Sequence, residues 1–121
     1  MEAREFTITL AHPHPATRPN ARVHRMTQWR HQQLDKTRAR TFARAAWGNQ
    51  YPMQKARLDV IWKARTHMAP DPDNIIAMLK SYIDGVEKGG VLANDRHLTL
   101  GHPEIERRAG EGVVILKFTE L

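Results

Sequence analysis

The chain has no cysteine, so disulfides and thiolate ligands are excluded and any bound metal must sit on Asp, Glu or His. No apolar run approaches the ~20 residues that a membrane-spanning helix requires. The opening MEAREFTITL carries acids where a secretory leader would be basic, and no apolar segment follows, so the expected setting is the cytoplasm with no membrane partner. Acidic residues are scarce in the first half: residues 1–65 hold 4 Asp/Glu against 13 Lys/Arg, whereas residues 66–121 hold 9 against 6. Arginine outnumbers lysine 13 to 6, and its planar fork suits phosphate oxygens, so the imbalance favours a polyanionic partner.

Proline and glycine are also missing between Met26 and Trp47, where Gln, Arg, Ala, Leu and Lys predict a helix stopped by Gly48-Asn49. Before it, EFTITL alternates Phe6, Ile8 and Leu10 with Thr7 and Thr9, the period of a half-buried strand, and the proline-rich AHPHPATRPN that follows reads as a loop. KARLDVIWKAR predicts a second strand with Leu58, Val60 and Trp62 on one face. A second helix should run from the DPDN stretch to Glu87 or Lys88, with Ile75, Leu79, Tyr82, Ile83 and Val86 as its core face. RHLTL, EIERR and VVILKFTEL are further strand candidates. At 121 residues the expectation is a single domain, 1–121, of class α+β: a small mixed β-sheet with two main helices packed on it, in the order β-α-β-α-β-β.

Two sets of residues carry candidate chemistry. The first is cationic: Arg18, Arg22, Arg25, Arg30, Arg38 and Arg40, with Lys36 and Arg44, stand in and before the first helix against the single acid Asp35. Few i,i+4 partners neutralise them, and contact with a phosphate backbone would account for the pattern. Trp29 and Trp47 are expected in the core, with stacking on bases as the alternative. The second set is acidic: Asp71 and Asp73 flank Pro72 in APDPDNIIAMLK. In extended chain, residues two apart project to one side, so the two carboxylates can converge, with Asp73 or Asn74 left to cap the helix. Lys80 falls about 20° from Asp73 around the helix, and Asp95 follows in LANDRH. An all-oxygen set favours a hard ion, Mg²⁺ or Mn²⁺. The HPH pair, His12 and His14, has no third ligand at a recognisable spacing for zinc.

The pattern DPDN…K…D…ND over Asp71–Arg96 resembles the signature of the RusA-type Holliday junction resolvases, small basic endonucleases. Size, element order, a proline-rich loop after strand one and a closing β-hairpin extend the likeness more loosely along the chain. The resemblance implies metal ligation by Asp71, Asp73 and Asp95 and assistance from a lysine. Family members often place that lysine four residues after the second aspartate, at Ala77 here, whereas Lys80 lies almost one turn later. It further implies a homodimer that cuts a four-way junction symmetrically by Mg²⁺-dependent phosphodiester hydrolysis, in DNA recombination and repair. A non-catalytic phage DNA-binding module, and a metal-dependent nuclease for another nucleic acid, are the alternatives.

Overall fold

The computed structural model describes residues 3–121. Strand β1 is Glu5–Ala11, with Phe6, Ile8 and Leu10 buried and the alternating positions exposed. A 3-10 turn at Pro15–Thr17 follows, then helix α1 at Arg25–Trp47, whose chain exits through Gly48 at φ 66. Strand β2 is Ala56–Lys63 and helix α2 is Pro72–Lys88. A second 3-10 turn, Asp95–His97, leads into β3 at Leu98–Leu100, and β4 at Glu104–Glu106 and β5 at Val113–Glu120 complete the fold.

These strands form one mixed sheet in the order β1-β5-β2-β3, so the molecule is α+β as expected. β5 lies antiparallel between β1 and β2, while β3 and β4 follow one another along the outer edge of β2, both parallel to it. The expected closing hairpin is therefore not formed. β5 opens with four apolar residues, Val113–Leu116, and buries Phe118 further on, which suits a central strand paired on both sides. The three-residue, acid-flanked β4 suits an edge.

The inward faces of β1, β2 and β5 supply Phe6, Ile8, Leu10, Leu58, Val60, Trp62, Val114, Leu116 and Phe118 to one core. Helix α2 covers it with the residues its periodicity names: Ile75, Leu79, Tyr82, Ile83 and Val86 are all buried, joined by Met78. Complete burial of a side chain such as Leu79 contributes about 2 kcal/mol. Helix α1 behaves differently. Along its 23 residues only Asp35, Ala39, Ala43 and Trp47 are buried, a single ridge at four-residue spacing. Trp47 meets Phe6 edge-on at 6.1 Å, so one of the two candidate tryptophans does belong to the core.

The two helices approach closely because small residues face each other. A Cβ on Gly85 would overlap the Lys36 carbonyl oxygen and lie 2.8 Å from the Ala39 Cβ; one on Gly89 would lie 2.6 Å from the Ala43 Cβ. In an exposed helix, Gly→Ala would gain about 1 kcal/mol from propensity. At Gly85 the sign reverses: Gly85→Ala should lower the unfolding free energy by about 1–3 kcal/mol in urea titrations, and a stabilised variant would show that the helices do not touch here.

Candidate functional site

The chain enters α2 with Asp71 as N-cap, at φ −62 and ψ 151, and Pro72 as the first helical residue. Proline is favoured there, because its missing N–H would be unpaired anyway and its φ is already helical. The cap is thus Asp71, not Asp73 or Asn74, and the two aspartates are not flanking positions of an extended chain. Asp71 makes no side-chain capping bond, and Asp73, in the first turn, places its charge where the helix dipole favours it. Both carboxylates are exposed.

Asp95 does not join them. The loop after Gly89-Gly90 lays it beside the last turns of α2, where oxygens of Asp84, Glu87 and Asp95 all lie within 4.8 Å of one another. Asp84 is eleven residues beyond Asp73, about 16 Å along the helix. Asp71, Asp73 and Asp95 are therefore not gathered into one group among the described residues, and Asp95 falls with Asp84 and Glu87 instead. Lys80 stands between the two ends of this arrangement. It lines a groove with Asp84, Ser81 and Lys36 on one side, and on the other a cleft of about 250 Å³ with Ile76, Asp95, Leu98 and Leu100. It forms no ion pair with Asp84 among the described residues. Sequence reasoning passed over Glu87; its i+3 spacing from Asp84 on the helix was the available signal.

All six candidate arginines, Arg18, Arg22, Arg25, Arg30, Arg38 and Arg40, are exposed. None of them belongs to an ion pair among the described residues, in contrast to Arg4, which forks onto Glu120 at 2.6 and 3.1 Å. Trp29 is 54% exposed beside Arg25, Met26, Gln28 and Gln32, so it lies outside the core and within the basic surface.

The histidines do not form a metal centre. His12 stacks on Trp62 at 4.0 Å, and its Nε2–H is shared between the carbonyls of Lys63 and Val113, pinning the loop across the ends of β2 and β5. His14 instead caps the first 3-10 turn, its Nδ1 accepting the Ala16 N–H, and stacks on His31 at 3.8 Å. Together with Pro13, Arg18, Leu34, Asp35, Arg38 and Met78 they line a cleft of about 530 Å³. Asp35 is 5% exposed, and its Oδ2 is sealed without a hydrogen-bond partner. Burial raises its pKa to about 6, against the opposing pull of Arg38 and His14. Tyr82, behind it, donates to the Ala11 carbonyl at 2.7 Å, and burial together with the Asp35 charge pushes its hydroxyl up to about 12.

No family model matches the chain. The chain is similar to an uncharacterized protein of Xylella fastidiosa (strain Temecula1 / ATCC 700964), with 32% identity over 120 residues spanning 91% of this chain and 74% of that protein. This chain and the Xylella protein belong to one family. No described helix is long and apolar enough to cross a membrane.

The raised value at Asp35 ties stability to pH. The native state keeps this proton between the ordinary 3.8 and about 6, so stability falls as pH rises through that window. Asp35→Asn should therefore stabilise the fold by about 1–3 kcal/mol above about pH 7, with the difference closing below about pH 4 in paired denaturation curves.

Proposed function

We propose that the protein is a RusA-type, divalent-metal-dependent endodeoxyribonuclease that cuts branched DNA and works as a homodimer on four-way junctions. The observation that carries the nucleic-acid part is the set of six exposed arginines with no carboxylate partner among the described residues. Unpaired arginines around α1 are free to bond phosphate oxygens and release counterions. Trp29, exposed among them, offers a face on which an unpaired base can stack.

The catalytic part rests on the Asp71–Arg96 resemblance and on the oxygen donors beside Lys80. Asp84, Glu87 and Asp95 fit a hard divalent ion by donor chemistry, Mg²⁺ or Mn²⁺, and they would hold it at the end of α2. Bound there, the ion supplies Lewis acidity and an acidified water. Lys80, on the adjoining turns, orients a phosphate or offsets charge developing on it. Asp71 and Asp73 stand at the N-terminal end of the helix, and the resemblance makes that pair the other candidate position for the ion.

The split between the acidic groups favours a second reading, a DNA-binding module without catalysis. Cleavage of a synthetic four-way junction in Mg²⁺ separates the two. The nuclease reading expects Asp73→Asn, Asp95→Asn and Asp84→Asn each to lose at least about a hundredfold in rate, with junction affinity in Ca²⁺ retained. No cleavage by the wild-type chain, or wild-type rates in all three variants, overturns it and leaves the binding module. Cleavage of a linear duplex or an RNA stem equal to that of the junction would instead identify a nuclease for another nucleic acid.

Mn²⁺ provides an independent readout of where the ion sits. Paramagnetic broadening should centre on the amides of Asp84, Glu87 and Asp95; broadening confined to Asp71–Asn74 would move the metal to the helix mouth. For the basic surface, Arg30→Gln and Arg40→Gln should each reduce the slope of log affinity against log salt by about 1, with melting temperature unchanged.

A further inference from the structure

The cleft over Asp35 shares Arg18 and Arg38 with the basic surface, but its histidines and its buried acid have no role in the function proposed above. Its wall is a stacked imidazole pair, His14 on His31, with ring planes within 10°. Because the Ala16 N–H occupies Nδ1 of His14, the neutral ring carries its proton on Nε2 and acts as a fixed donor. His31, stacked on it, makes no hydrogen bond among the described residues. Arg18 and Arg38 add two exposed guanidinium groups at the same cleft.

Asp35 is the anomaly. It stands on the buried ridge of α1, where the next two positions are alanines pressed against α2, and among the described residues it has no paired cation and one sealed, unpartnered oxygen. The groups facing it are His12, His14 and Arg18 from the loop, His31 and Arg38 from its own helix, and Tyr82 from α2, whose hydroxyl is committed to Ala11. A buried carboxylate among donors repels an incoming anion while it is charged, and stops doing so when it takes a proton.

We propose that this cleft is a proton-linked oxyanion site, which seats one phosphate of a nucleic-acid backbone between Arg18, Arg38 and the His14–His31 pair and fills more tightly when Asp35 is protonated. The identity of the phosphate donor rests on the nucleic-acid reading above; the site itself does not. As pH falls, Asp35 loses its negative charge near pH 6, which removes the one repulsive group from the cleft.

Sulfate is a suitable probe because its charge does not change across this range. Amide spectra of the full chain would be followed during sulfate titration at constant ionic strength, at about pH 5.5 and about pH 7.5. A short single-stranded oligonucleotide without terminal phosphates would be titrated in parallel. Sulfate should shift the amides of His14–Arg18 and His31–Arg38, with at least about fivefold tighter binding at the lower pH. Asp35→Asn should bind well at both pH values and lose most of this dependence, and Arg38→Gln should bind weakly at both, each with a native-like amide spectrum.

Equal sulfate affinity at the two pH values, an unaltered pH dependence in Asp35→Asn, or shifts confined to Arg25 and Arg30 would overturn the proposal. Sulfate binding as described with no response to the oligonucleotide would overturn the backbone assignment and count against the nucleic-acid reading as well. Junction cleavage without a sulfate response would overturn this proposal alone.

Discussion

The close contact between α1 and α2 is the constraint on which the other features depend. Gly85 and Gly89 give up side chains so that the backbones can meet Ala39 and Ala43, and nothing larger than a hydrogen fits at Gly85 without moving the Lys36 carbonyl. The contact sets the rotation of α1. With Ala39 and Ala43 turned inward, Asp35, one turn earlier, is carried into the interior beside Met78, and Trp47, one turn later, is carried onto Phe6. The same rotation leaves the arginines of α1 outside. A wider separation would give Asp35 water and would open the groove that places Lys36 opposite Lys80 and Asp84.

Much of this was legible in the sequence. Period-two alternation located β1 and β2, and the period-3.6 face of α2 named five core residues correctly, because both elements bury a full face against one core. Helix α1 was legible as a helix but not in its orientation. A ridge of one aspartate, two alanines and one tryptophan has almost no hydrophobic contrast with the rest of that helix, so periodicity had nothing to read. Trp29 was misplaced for the same reason. The four-residue spacing of Gly85 and Gly89 is visible in the sequence, but spacing alone does not say which element approaches them.

The candidate acids show a different limit. Alternation of side chains in extended chain made Asp71 and Asp73 converge, but Pro72 starts the helix two or three residues earlier than that argument assumed. Asp95 was expected to return to the head of α2. The short connection after Gly90 instead leaves the chain at the far end, where β3 begins beside the first residues of β2. Parallel pairing of β3 with β2 requires that placement: a chain that has run back along α2 must start β3 from the end where β2 itself starts. The position of Asp95 is thus set by topology, which local spacing does not contain.

The exposed and buried acids of this chain meet different physics, and that difference assigns them different counter-charges. Asp84, Glu87 and Asp95 keep access to water, so a hydrated divalent ion can reach them without unfolding anything. Asp35 lines the His14–His31 cleft from the buried ridge of α1, with one oxygen sealed. A metal ion would have to shed much of its hydration shell to bind it, at large cost, whereas a proton removes the charge of the carboxylate outright. The acidic groups of one basic chain therefore divide by burial: Asp84, Glu87 and Asp95 lie within reach of hydrated ions, whereas burial makes a proton the counter-charge that Asp35 takes up most readily.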